Sequence, residues 1–267
     1  MATGPSTANL AMPEFEALMD AAWPATERHD TGHWVFRAAS GVTQRANSVW
    51  VRDTAADEPA AMRDAVQWYR RNRLPVIYQL TEEARDRRNQ RYESLNALLD
   101  AEGFTRQSET LVMHLDCASV RSAPDAGVEV LPEPSEEWLQ LWWSVDGRGG
   151  YEELAVAGRI LTGCPALYAL VRDDDGVPAA VGRLALAGGY GGLYCMATRP
   201  DARRLGYARR IINALLCEGR THGVSGYWLM VTASNSAGQQ LYRQAGFTEA
   251  GRYVYRQERP KRHLTGC

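Results

Sequence analysis

Apolar positions along the chain follow two periods. Those recurring every three to four residues predict helices over 13–22, 59–72 and 88–102, then over 135–143, 152–161, 205–218 and 236–244. Short apolar runs between turn residues predict strands over 34–38, 48–52, 76–80 and 110–115, and over 128–131, 166–172, 179–186, 193–198, 227–231 and 252–256. Ser135 is placed to cap the helix that follows it, and Gly41 to Asn47 reads as a hairpin connection, with a functional loop meeting the cleft as the alternative. Asp173-Asp-Asp-Gly176 and Gly188-Gly-Tyr-Gly-Gly192 read as turns. The pattern is that of an α/β or α+β protein with a central sheet flanked by helices.

Ala118 to Gly127 is small, polar and punctuated by Pro and Gly, and it divides the chain into a first domain, 1–117, and a second, 128–267. Both end on the same order of elements. Leu98-Leu-Asp-Ala-Glu-Gly-Phe-Thr105 matches Leu241-Tyr-Arg-Gln-Ala-Gly-Phe-Thr248 at a spacing of 143 residues. Duplication explains the match.

Composition narrows the function. The 267 residues are 45% hydrophobic and 23% charged, with net charge −2 and a pI near 6.2. That fits a globular protein and gives no general attraction to nucleic acid or an anionic membrane. No run is long and apolar enough to span a bilayer, and Met1 to Phe15 lacks the features of a secretory leader. The five cysteines are dispersed, with no metal-ligand spacing, so no metal is expected and a cytoplasmic, reducing location is.

The segment Thr198-Arg-Pro-Asp-Ala-Arg-Arg-Leu-Gly-Tyr-Ala208 carries the clearest chemistry. A strand ends, Pro200 turns the chain and a helix begins near Leu205. Unpaired N–H groups at a helix start bind phosphate. Gly206 admits close backbone approach, and Arg203, Arg204 and Arg209 add charge that a diphosphate would neutralise. Without an anion these cations oppose the helix dipole.

This run resembles the R-x-x-G-x-G/A signature of the GCN5-related N-acetyltransferases. Asn235-Ser-Ala-Gly-Gln-Gln-Leu-Tyr-Arg-Gln-Ala-Gly-Phe247 is similar to the later N-x-x-A-x-x-L-Y-x-x-x-G-F run of that family, with Gly238 where Ala is usual. The resemblance covers most of residues 128–258. It implies two family-like domains with mixed, mostly antiparallel sheets, the second sheet splayed at its fourth strand around acetyl-CoA or another acyl-CoA. It further implies that the backbone of Cys195, Met196, Ala197 and Thr198 pairs with the pantetheine arm. Arg203, Arg204, Leu205, Gly206, Tyr207 and Ala208 would hold the pyrophosphate, Asn235 would touch the cofactor chain, and Tyr242 would protonate the leaving thiolate.

Where relatives place a Glu, this chain has Met230, so the resemblance names no general base. Aromatic residues gather on the expected substrate side, among them Trp143 and Trp228, and Trp142, Tyr151, Glu152, Tyr190 and Tyr194 are the substrate candidates. At the 143-residue spacing Leu99 stands for Tyr242, and Ala60 to Ala65 for the Arg203 loop. The first half is thus read as a degenerate copy, with one active site per chain. The expected activity is transfer of an acetyl group to a small-molecule amine by a monomer or homodimer. Other readings are acetylation of a protein lysine or N-terminus, transfer involving a carrier-protein thioester, and a non-catalytic acyl-CoA sensor.

Overall fold

The computed structural model describes residues 6–83, 92–107, 109–121 and 123–258. The first residues of the helix expected over 88–102 lie outside that range. In the first half the described strands are β1 (Glu27–Asp30), β2 (Trp34–Ala38), β3 (Val49–Val51), β4 (Ile77–Glu83), β5 (Thr105–Arg106) and β6 (Thr110–Asp116), with helices α1 (Met12–Ala22), α2 (Glu58–Arg71) and α3 (Glu93–Ala101). The second half supplies β7 (Val128–Leu131), β8 (Ala166–Arg172), β9 (Pro178–Ala187), β10 (Tyr190–Thr198), β11 (Gly226–Thr232) and β12 (Thr248–Gln257), with α4 (Glu136–Asp146), α5 (Tyr151–Leu161), α6 (Tyr207–Thr221) and α7 (Ser236–Gln244). Ser135 caps α4, its hydroxyl accepting from the Trp138 N–H at 3.2 Å.

All these strands join one sheet in the order β1-β2-β3-β4-β12-β6-β11-β10-β9-β8-β7, with β5 paired to β12. Neighbours are antiparallel except β3 with β4 and β10 with β11, which run parallel. Each half gives its last long strand to the other: β6 lies between β12 and β11, and β12 between β4 and β6. The expected linker over 118–127 therefore does not divide the sheet, which runs continuously through both halves.

The central strands are apolar on both faces, as strands covered on two sides must be. Leu111, Met113 and Leu115 of β6 pack with Ile211, Ile212 and Leu215 of α6, while the alternate residue Val112 joins a cluster with Phe15 and Met19 of α1, Trp138 of α4 and Ile160 of α5. Val254 of β12 enters the core of the first half beside Tyr69, Leu95 and Leu99; its neighbours Tyr253 and Tyr255 face the α1 side. Arg256 locks this exchange. Its guanidinium donates to Asn96 Oδ1 at 2.7 Å and to the Phe104 carbonyl at 3.0 Å, and it pairs with Asp100. Strands β1 and β5 carry no apolar run, and β1 is exposed throughout, which is why the hydrophobic pattern alone does not reveal them.

Candidate active site

The sheet opens between β10 and β11. Their parallel pairing ends at Leu193 opposite Leu229, although β10 continues to Thr198 and β11 to Thr232. At the opening β10 carries a bulge: Tyr194 pairs with Arg183 and Ala197 with Val181, so one extra residue is inserted, and Cys195 has φ 53°. Beyond Leu193 the edge of β10 facing β11 has no ladder partner, so its backbone polar groups are available to a ligand.

Below the opening, Arg199 anchors the turn into α6 through Asp173 and Asp201, each at 2.7 Å. After a short turn at Pro200–Ala202, Arg204 and Gly206 both adopt left-handed backbone, with φ 65° and 90°. Helix α6 starts at Tyr207, two residues later than the periodicity suggests, because Gly206 at positive φ is its N-cap and cannot be part of it. No side chain caps this end. Arg203, Arg204, Leu205 and Gly206 are exposed around it, and Tyr207 and Ala208 are half-buried. Arg210 is held by Asp125 at 2.7 Å and Arg209 by Gln244 at 2.8 Å, whereas Arg203 and Arg204 form no ion pair with a described residue.

Helix α7 closes the other side. Asn235 is its N-cap, Oδ1 accepting from the Gly238 N–H at 2.8 Å. A Cβ at Gly238 would lie 2.7 Å from Asn235 Nδ2, so glycine at this position leaves room for the cap. Tyr242 projects from α7 half-buried, its ring edge-on to Phe247 at 6.3 Å. Burial pushes its phenol up to about 12, so it holds its proton throughout the physiological range. Burial raises the Cys195 thiol, also to about 12, which keeps it from acting as a thiolate nucleophile at neutral pH.

On the α1 face, Tyr194 lines the bulge, stacked on Trp23 of the first half at 5.5 Å and edge-on to Trp228 at 6.4 Å. The structure does not gather the other substrate candidates there. Trp142 is enclosed in the core against Trp138 and Trp143. Tyr190 is buried in the paired part of β10, four residues from Tyr194 and so about 13 Å up the strand. Tyr151 is 85% exposed at the head of α5, with Glu152 also in solvent. Glu153 accepts from the Gly150 N–H at 2.7 Å and so serves the helix start. Met230 is half-buried on the α1 face, and the carboxylate whose charge acts on Cys195 is Asp146 at the end of α4.

The segment over 41–47 is more than a hairpin connection, because it reaches β10 of the other half. Arg45 sits 5.2 Å from the Trp23 ring centre and 5.3 Å from that of Tyr194. The first half thus packs on the candidate site of the second, a contact across the sheet that agrees with the alternative reading of this loop. Among the described residues no cluster of His, Cys, Asp and Glu could hold a metal, and no helix is long and apolar enough to cross a membrane.

A sheet parted between two parallel strands beside a helix N-terminus is the frame of the GCN5-related N-acetyltransferases, and solved members follow the same course. A GCN5-related N-acetyltransferase from Kribbella flavida superposes with TM-score 0.68 at 17% identity, covering 94% of this chain and 96% of its own. A tandem GNAT protein from the clavulanic acid biosynthesis pathway superposes with TM-score 0.63 at 14% identity, covering 96% and 90%. The chain belongs to the family described as "Probable histone acetyltransferase Rv0428c C-terminal", whose model matches residues 11–256. It is 26% identical over 257 residues to the "Uncharacterized N-acetyltransferase YobR" of Bacillus subtilis (strain 168), covering 92% of this chain and 98% of that protein. A shorter match, 43% over 58 residues, joins 22% of this chain to 39% of the [Ribosomal protein bS18]-alanine N-acetyltransferase of Salmonella typhimurium. The chain is an N-acetyltransferase by this membership.

Proposed function

We propose that the chain transfers the acetyl group of acetyl-CoA to the amine of a small molecule, at one site per chain between β10 and β11. The observation that carries this reading is the uncapped, glycine-led start of α6 beneath an opened strand pair. A diphosphate fits there because the first N–H groups of α6 have no side-chain acceptor and Arg203 and Arg204 have no acidic partner among the described residues. When bound, acetyl-CoA supplies a thioester carbonyl open to attack and a thiol leaving group.

The chain's residues then have separable tasks. Backbone N–H groups of Cys195 to Thr198 on the edge facing β11 stabilise negative charge on the carbonyl oxygen. Tyr242, protonated and desolvated, donates a proton to the departing sulfur, and the proton that the attacking amine loses passes to water and restores the phenol. Asn235 orders the start of α7 and so holds Tyr242 in place. Acetylation of a protein N-terminus is the second reading, favoured by the match to the ribosomal-protein enzyme. That match covers too little of the chain to extend to the acceptor side.

The test is release of free thiol from acetyl-CoA in the presence of small amines and, separately, of peptides with free N-termini. Turnover with amines is expected. Turnover with peptides alone would move the function to protein acetylation, and tight CoA binding with no acceptor used would leave the small-amine proposal without support.

A further inference from the structure

We infer that Arg45 binds a carboxylate carried by the acceptor, so that the preferred substrates are amino acids or other amines bearing a carboxyl group. The inference rests on the proposed small-amine function and specifies its substrate class.

Arg45 belongs to the first half by sequence and adjoins the second half's β10 bulge by position. Its guanidinium flanks the stacked Trp23–Tyr194 pair and shares a hydrogen bond with the Tyr253 hydroxyl, and its charge reaches Cys195 at the bulge. Its Nε is buried without a hydrogen-bond partner, and no carboxylate among the described residues forms an ion pair with it.

Two neighbouring arginines show that this state is unusual here. Arg183 lies 5.9 Å and 5.7 Å from the same two rings, but it donates to the Ala22 and Leu161 carbonyls at 3.0 and 2.8 Å. Arg37 is paired with Asp20 at 3.1 Å and donates to Ser48 and Gln79. Aromatic faces offset only part of the cost of desolvating a guanidinium, which stays charged, so an anionic partner is what the Arg45 site lacks.

The site is built in advance. Asn47 Oδ1 accepts from the Ala39 and Gly41 N–H groups at 2.7 and 2.8 Å, and its Nδ2 donates to the Thr43 carbonyl at 2.6 Å. Trp23 donates to Thr43 Oγ1 at 3.0 Å, tying the loop to α1. The backbone that carries Arg45 is therefore fixed before a ligand arrives. The ligand should be compact and singly charged, because one cation without an acidic partner, set against aromatic rings, suits a carboxylate better than a phosphate ester.

The test compares acceptors that differ only in a carboxyl group: phenylalanine with phenethylamine, tyrosine with tyramine, and lysine with cadaverine. The wild-type protein should prefer the carboxylated member by at least about 10-fold in kcat/KM. Arg45→Met should lower that preference about 10- to 100-fold, mainly through KM, with Arg45→Lys between the two. No preference in any pair, or a preference that survives Arg45→Met, overturns the inference.

A second readout needs neither turnover nor a folded variant. In wild-type protein with isotope-labelled arginine and saturating CoA, the Arg45 Nε–H resonance should shift saturably with benzoate and with phenylalanine, and not with benzylamine. No shift, or a stronger response to inorganic phosphate, overturns the carboxylate assignment. Calorimetry of CoA binding reads the acyl-CoA proposal by itself. Loss of that binding with a benzoate-responsive Arg45 would sink the proposed activity while keeping the anion site.

Discussion

The two halves begin equivalent helices in opposite ways. In the first, α2 starts after Asp57, whose carboxylate accepts from the Ala60 N–H at 2.9 Å. In the second, α6 starts after Gly206, which has no side chain to offer. The equivalence is fixed by the parallel ladders, since Val49 pairs with Tyr78 as Gly191 pairs with Tyr227. It also corrects the sequence alignment: the counterpart of Gly206 is Asp57, not a residue within 60–65. The N-caps of α3 and α7, Tyr92 and Asn235, keep the 143-residue spacing, so the extra residues of the first half fall between β4 and α3. A groove of about 880 Å³ persists between α2 and α3, but its helix start already holds a negative charge, and fully buried Leu99 replaces Tyr242. The first half thus keeps the fold without a glycine-led helix start and with an aliphatic side chain where the second half has Tyr242.

The largest expected effect comes from imposing the first half's arrangement on the second. Gly206→Asp places a side chain at φ 90° and a carboxylate at the α6 start, and should weaken acetyl-CoA binding by at least about 100-fold in calorimetry. Near-normal binding would strip the contrast of functional meaning. The converse change, Asp57→Gly, should leave the stoichiometry at one CoA per chain.

Tyr242→Phe should lower kcat by about 10²- to 10³-fold while CoA affinity stays within about threefold. Equal activity would remove the proton-donor role and, with it, the significance of Leu99 in the first half.

The strand exchange is probed by Arg256→Ala, which strands Asn96 and should cost about 2 kcal/mol. Because β12 serves both halves, denaturation should stay a single transition at a lower midpoint. Two separate transitions would show that the halves are independent.

Asp57→Ala should cost only about 1 kcal/mol, lowering Tm by roughly 2–4 °C, without changing kcat. On the alkaline side, Tyr242 ionises near the ordinary 10 when unfolded and at about 12 when folded. Its contribution to stability is complete below pH 10 and drains away as pH rises toward 12. The smallest expected effect is therefore none: kcat should show no basic limb from this phenol below about pH 11.

Much of this was legible in the chain. The helix over 236–244 and the strands over 34–38, 128–131 and 166–172 have the bounds that periodicity and turn residues indicate. The family motifs lead to GCN5-related N-acetyltransferase membership. The substrate side was much less legible. Tryptophan and tyrosine read alike in a core and in a pocket, so Trp142 and Tyr151 gave no sign that one is enclosed and the other in solvent. The value of Arg45 depends on Trp23 and Tyr194, residues far from it along the chain.

Most helices and the apolar strands, and the basic, glycine-bearing loop, could be read from the chain alone, because each depends on residues within a few positions of one another. Only the packed chain shows which strand completes which half, that the counterpart of Gly206 is the capping residue Asp57, and that a first-half arginine adjoins the second half's bulge. Those outcomes follow from long-range β-pairing and from burial of charge, where the partner is chosen by the fold and has no fixed spacing in the chain.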